Sequence, residues 1–179
     1  MFLRKTAWLA GLCLCLTQAA SAAEPRLGAK ARALSRLEYV DGSALNLDAL
    51  RGKPTVLYFG ADWCEPCRNK GRPTVTAVAK KYQPKGLQVV FISLDDNNFR
   101  AAKVQEAKTI SIPIAMAKLD ICPPGSCIGG LREQGEFGRI HVFPTAYVLD
   151  SGGVIRAILK GGNGVQEGLE KAVTNVLTP

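Results

Sequence analysis

Two cysteines separated by two residues stand in the stretch Trp63-Cys64-Glu65-Pro66-Cys67. The thiolate, not the thiol, attacks disulfide sulfur, so this pair does redox chemistry if its surroundings ionise one of the two. The surroundings read that way. Thr55-Val56-Leu57-Tyr58-Phe59-Gly60 is an apolar, β-branched and aromatic run, the pattern of a buried central strand. The residues after Trp63, to about Tyr82, read as a helix that Gly71 and Pro73 should bend. Cys64 and Cys67 thus open a helix, where unpaired N–H groups and partial positive charge favour a thiolate. Pro66 removes an N–H near the helix start, where its loss is tolerated. A structural disulfide and half of a metal site are the competing uses of the same spacing.

Cys122-Pro123-Pro124-Gly125-Ser126-Cys127 forms a second pair in a turn-rich stretch. It lacks a helix start to activate a thiolate, so the expectation is a structural disulfide that rigidifies its loop. A second redox pair feeding electrons to the first is the sharper alternative. Cys13 and Cys15 lie in an N-terminal segment that is expected to be removed. The four remaining cysteines allow three pairings, and the short spacings favour 64–67 and 122–127. All four together binding zinc is another reading of the same residues. The run Gly161-Gly162-Asn163-Gly164 lacks the lysine and spacing of a phosphate loop, and is expected to be a turn before the last helix.

The elements that position these residues are legible in outline. Residues 1–22 have the plan of an export signal: Arg4 and Lys5, a ten-residue apolar run over 7–16, then the small residues Ala20-Ser21-Ala22 before a cut. The run is short for a bilayer span, although an uncleaved anchor is the alternative. Export places the protein in a periplasmic or otherwise extracytoplasmic compartment, where disulfides persist. Residues 23–36 read as a leader and 37–179 as one domain, long enough to bury about 70% of its unfolded surface without needing disulfides to fold. The formal charge of +8 loses two positive residues with the signal. The remaining Lys and Arg are scattered rather than clustered, which argues against nucleic acid as a partner.

Strands are expected at 37–40, 45–47, 55–60, 87–94, 112–117, 145–149 and 154–160. Helices are expected after Trp63, over 98–108 and over 165–177, and a loop insertion over 119–135. The early strand–helix–strand–helix order argues for parallel pairing through crossovers, and Ser151-Gly152-Gly153 for a final hairpin. The predicted fold class is therefore α/β, with a mixed central sheet flanked by helices.

The stretch Tyr58-Phe59-Gly60-Ala61-Asp62-Trp63-Cys64-Glu65-Pro66-Cys67-Arg68 resembles the active-site region of thioredoxin-like proteins. The approach Asp41-Gly42 to Leu47-Asp48-Ala49-Leu50-Arg51-Gly52-Lys53-Pro54 is similar to the exported TlpA/ResA/DsbE-like branch, and Val142-Phe143-Pro144-Thr145 resembles its cis-proline loop. The resemblance covers about residues 37–177. It implies a thioredoxin fold with an N-terminal strand extension, here with a Cys-containing insertion. It implies a thiol-disulfide oxidoreductase with no cofactor beyond a redox-active disulfide. Cys64 would attack and Cys67 resolve. Trp63, Glu65, Pro66 and a cis Pro144 would support the pair, and Phe143 and Thr145 would bind the partner. The implied partners are thiol- or disulfide-containing exported proteins and a membrane electron donor. Glu65, a negative charge beside Cys64, should disfavour its thiolate and make the pair a reductant rather than a strong oxidant. Thioredoxin-fold copper proteins suggest the alternative, a copper-binding or metal-delivery module that uses Cys64, Cys67 and His141.

Three features depart from the pattern. Tyr58 stands where thioredoxins carry a buried acid. Pro73 lies nine residues after Cys64, where eight is usual. The Cys122/Cys127 loop is extra.

Overall fold

A computed structural model describes residues 24–178. The expected export signal lies outside the described residues. Six strands form one mixed sheet in the order β1-β4-β3-β2-β5-β6: β1 (Leu37–Tyr39), β2 (Thr55–Gly60), β3 (Gln88–Ser93), β4 (Ile114–Ala117), β5 (Thr145–Leu149) and β6 (Ile155–Lys160). β2, β3 and β4 run parallel, with α1 (Arg72–Tyr82) and α2 (Arg100–Ile110) as crossovers, while β1 and the β5–β6 hairpin are antiparallel to their neighbours. α3 (Gly161–Leu177) closes the chain.

β2 is buried at every position because it is central and covered on both faces. Alternate residues serve two cores. Val56 and Tyr58 face a core shared with Val75 and Val78 of α1, Val104 of α2 and Leu169 of α3. Leu57 and Phe59 face the opposite core, which is closed by Leu34 and Leu45 from the N-terminal side and by Phe137 and Ile140 from the stretch before β5. Phe59, Phe137 and Tyr147 pack as an aromatic trio with centroids 5.1–5.6 Å apart. Phe137, two residues past the expected loop insertion, therefore anchors the stretch that follows it in the core.

Three local expectations change. Residues 45–47 are not a strand: Ala44 makes a single bridge to Glu38, and Leu47–Leu50 is a 3-10 turn in which the Asp48 N–H donates to the Asn46 side chain at 2.9 Å. The Gly161–Asn163 run is not a turn before the last helix but its first turn, and the Gly161 N–H donates to the Pro144 carbonyl at 2.8 Å. The segment before residue 37 is docked, with Gly28 and Ala31 hydrogen-bonded to Ile155 and Gly153 and Leu34 1% exposed. Among the described residues no helix is long and apolar enough to cross a membrane.

Candidate active site

β2 ends at Gly60, the chain turns through Asp62 and Trp63, and a helix opens at Glu65. Cys64 and Cys67 are joined as a disulfide with Cα atoms 5.2 Å apart. Cys67 is fully buried, while Cys64 retains 7% exposure. The Cys67 N–H points at Cys64 Sγ, 3.2 Å away. An N–H aimed at this sulfur is the local contact that stabilises negative charge on it once the disulfide opens.

Between the pair and α1 the helix makes a π-turn, Cys67–Gly71, in which the Arg72 N–H reaches back to the Cys67 carbonyl. A π-turn accommodates one residue more than an α-turn. This extra residue accounts for Pro73 lying nine rather than eight positions after Cys64. The same carbonyl accepts a hydrogen bond from the Tyr58 hydroxyl at 3.1 Å. Burial pushes the Tyr58 hydroxyl well above the ordinary phenol range, so it stays neutral wherever thiols titrate. Tyr58 thus replaces the expected buried acid with a donor that holds Cys67 in place and takes up no proton at neutral pH.

Gly71 is where these parts meet. A Cβ there would overlap the Tyr58 hydroxyl and press on Pro144 Cγ at 3.0 Å. Gly71→Ala is expected to cost about 1–3 kcal/mol through overpacking and to displace Tyr58 from the Cys67 carbonyl. Denaturant unfolding checks the first effect and the alkylation rate of reduced Cys64 the second.

The Phe143–Pro144 peptide bond is cis. Pro144 is buried and lies against Gly71, and the Phe143 ring lies between the Trp63 ring, edge-on at 5.9 Å, and the Arg132 guanidinium at 5.1 Å. Trp63 is 47% exposed, so it flanks the pair as a surface platform. Thr145, expected to bind the partner, is 1% exposed and donates its hydroxyl to the Val142 carbonyl at 2.7 Å. Its side chain shapes the proline loop from inside and does not reach the surface. Glu65 and Pro66 are exposed, with Glu65 accepting a long hydrogen bond from Asn69 at 3.4 Å.

Sequence reasoning missed a charge cluster below the pair. Lys103 of α2 is 1% exposed, and its Nζ lies 2.8 Å from Asp62 Oδ2, 2.8 Å from Glu106 Oε2 and 3.3 Å from Asp95 Oδ2. Arg72 joins through Asp62 Oδ1 at 2.6 Å and Glu106 Oε1 at 3.0 Å. Burial works against the Asp62 charge, but the hydrogen bonds from Lys103 and Arg72 outweigh it and hold the carboxyl below its ordinary value. Asp62 is therefore a tethered ion whose side chain is still 49% exposed. The only available sequence signal was a lysine inside an otherwise weakly amphipathic helix.

Cys122 and Cys127 are also joined as a disulfide, with Cα atoms 5.6 Å apart. A four-cysteine zinc site is not assembled. Nor is the alternative copper site of Cys64, Cys67 and His141. His141 is exposed, and among the described residues no group of three His, Cys, Asp or Glu side chains is arranged to hold a metal ion.

A sequence model of the AhpC/TSA family matches residues 27–158. The chain belongs to the AhpC/TSA family. Among relatives of this AhpC/TSA member, the thiol-disulfide oxidoreductase ResA of Oceanobacillus iheyensis is 27% identical over 124 residues, which are 69% of this chain and 58% of that protein. ResA of Bacillus thuringiensis is 26% identical over 132 residues, 73% of this chain and 68% of that one. The chain thus spans a little under three fifths of the Oceanobacillus protein. In fold, it is similar to the thioredoxin domain of a Bacteroides vulgatus thiol-disulfide oxidoreductase, with TM-score 0.59, 19% identity and coverage of 82% and 96% of the two chains. It is also similar to a thiol:disulfide interchange protein of the thioredoxin family from Chlorobium tepidum, with TM-score 0.53, 22% identity and coverage of 80% and 94%. The AhpC/TSA member therefore has the thioredoxin-like fold that its motifs implied, and the TlpA/ResA/DsbE-like resemblance agrees with the relatives found.

Proposed function

We propose that this chain is a thiol-disulfide oxidoreductase that reduces disulfides in exported proteins through Cys64 and Cys67. The observation that carries this reading is the disulfide itself: it opens a helix, with Cys67 fully buried and Cys64 retaining 7% exposure, its sulfur facing an N–H donor. In the reduced protein the Cys64 thiolate attacks one sulfur of a partner disulfide, forming a mixed disulfide and releasing the other partner sulfur as a thiolate. Cys67, once deprotonated, then attacks Cys64 Sγ, closes the pair and frees the second partner sulfur. Two electrons pass to the partner, and a donor dithiol must return them. An exported compartment offers no soluble NADPH, so that donor is a membrane protein.

Phe143 and Trp63 form the surface on which the partner lies, beside the cis-proline loop. The reductant direction rests on exposed Glu65, which places negative charge between the two sulfurs. Equilibration with glutathione tests the direction, since a potential near that of a strong oxidase, about −120 mV, would reject it. Cys67→Ser tests the pathway. It should accumulate partners as mixed disulfides on Cys64 that release on reduction, and their absence in an exported fraction where wild type is active would reject the assignment of attacker and resolver.

A further inference from the structure

Three consecutive polar residues, one position beyond β3, are buried: Asp95, Asp96 and Asn97, at 6%, 7% and 5% exposure. Buried polar groups persist where they are hydrogen-bonded, and these divide their partners between two places. Asp95 turns to the redox segment: its Oδ1 accepts the Asp62 N–H at 2.8 Å, two residues before Cys64. Asp96 turns to the inserted loop: its Oδ1 accepts the Gly125 N–H at 2.8 Å and its Oδ2 the Cys127 N–H at 3.1 Å. Asn97 donates through Nδ2 to the Cys122 carbonyl at 2.6 Å and the Ala117 carbonyl at 3.0 Å. Both ends of the second disulfide are thus held by residues adjoining the one that holds the active-site turn.

The backbone adds to this link. Leu94 donates its N–H to Gly60, the last residue of β2, at 2.8 Å. On its other side Leu94 is packed so closely by Gly130, at φ +89°, that a Cβ there would overlap the Leu94 carbonyl.

We propose that the Cys122–Cys127 disulfide sets the reactivity of Cys64, acting through Asp95, Asp96 and Asn97 as positioning residues. The inference rests on the oxidoreductase reading of Cys64 and Cys67. The second disulfide closes its loop so that the Gly125 and Cys127 N–H groups face Asp96. The Asn98 N–H, and after it those of Gly125 and Cys127, hold the Asp96 carboxyl below its ordinary value, so the loop contacts add to a preference for the ionised form. Opening the disulfide takes two electrons and two protons from a dithiol, which becomes a disulfide, and leaves Cys122 and Cys127 as thiols. The loop then frees Asp96 from two of its three N–H donors, leaving only that of Asn98, and a buried carboxylate so stripped moves toward water. Its neighbour Asp95 moves with it and releases the Asp62 N–H. Cys64 loses its register with the helix start, and its thiolate loses stabilisation.

The test uses the full chain carrying Cys122→Ser and Cys127→Ser together, beside wild type whose Cys64–Cys67 pair is opened with one equivalent of dithiol and whose second disulfide is verified closed by mass. Two readouts separate positioning from mere stability: the pH profile of Cys64 alkylation and the equilibrium of the Cys64–Cys67 pair with glutathione. The variant should alkylate roughly two- to thirtyfold more slowly near neutral pH, the range of coupling carried by packed networks. Its alkylation profile should move to higher pH, and the pair should become harder to reduce. Asp96→Ala, which leaves both disulfides intact, should shift both readouts the same way, and it decides the matter if the double variant does not fold. A folded variant whose profile and equilibrium match wild type overturns the proposal. Failure of wild-type Cys64 to alkylate at any pH would instead remove the oxidoreductase reading, so the two failures are distinguishable.

Discussion

Cys64→Ser lowers insulin reduction to the rate of dithiothreitol alone. A serine hydroxyl stays protonated where Cys64 is to ionise, so no nucleophile remains at the only position of the pair that reaches the surface. The buried partner does not substitute for it, because Cys67 is covered completely and held by the Tyr58 hydroxyl and by the π-turn at its carbonyl. Relative to reduced wild type, in which the Cys64–Cys67 disulfide is also open, stability should change little, since an oxygen replaces a sulfur at the edge of the core. The comparison is turnover of wild type and variant at equal concentration with thermal unfolding measured beside it. Retention of activity above the dithiothreitol background in a folded Cys64→Ser protein would place the chemistry elsewhere.

Lys103→Met acts on stability, and strongly. The substitution preserves much of the side-chain volume but leaves Asp95 and its neighbours Asp62 and Glu106 without the ammonium that three carboxylates share. Removing one partner of a buried ionic cluster costs about 3–5 kcal/mol. For a chain near this size that lowers the unfolding midpoint by roughly 6–20 °C.

The effect depends on pH in a direction set by the shifts. Burial alone would lower the Lys103 value, but its hydrogen bonds to Asp62 and Glu106 raise it above the ordinary 10.5. Its contribution is complete below pH 10.5 and disappears as pH rises through the higher folded value. Asp62 is shifted downward from 3.8, so its contribution is complete above that pH and disappears as pH falls through the lower folded value. The stability difference between wild type and Lys103→Met should be flat from about pH 5 to 9 and narrow on both sides. Urea titrations across that range measure it, and a difference below about 1 kcal/mol at neutral pH would show that water already compensates the three carboxylates.

The Lys103 cluster also shows why the site was only partly legible. Asp62 was visible in the sequence as a carboxylate near the cysteines, but its partners lie 10 and 41 positions away on two helices. No spacing rule links residues brought together by crossovers. The same holds for Phe137, which no pattern marks as core because its partners, Phe59 and Tyr147, belong to two strands of the sheet.

From the residues alone came the buried strand leading to Cys64, the helix opening at the pair, the hairpin before the last helix and the pairing of each of the four described cysteines with its near neighbour. These are local matters: strand burial, helix start and short-loop closure each depend on residues within a few positions of one another. The tertiary structure alone decided that Tyr58 acts as a neutral donor, that Thr145 turns inward, and that the helix absorbs one extra residue in a π-turn so that Gly71 can pass beneath Pro144. It alone joined Asp95, Asp96 and Asn97 to both disulfide segments. A buried polar side chain takes its meaning from the donors and acceptors that folding brings within 3 Å of it, and those come from chain positions that no local pattern connects.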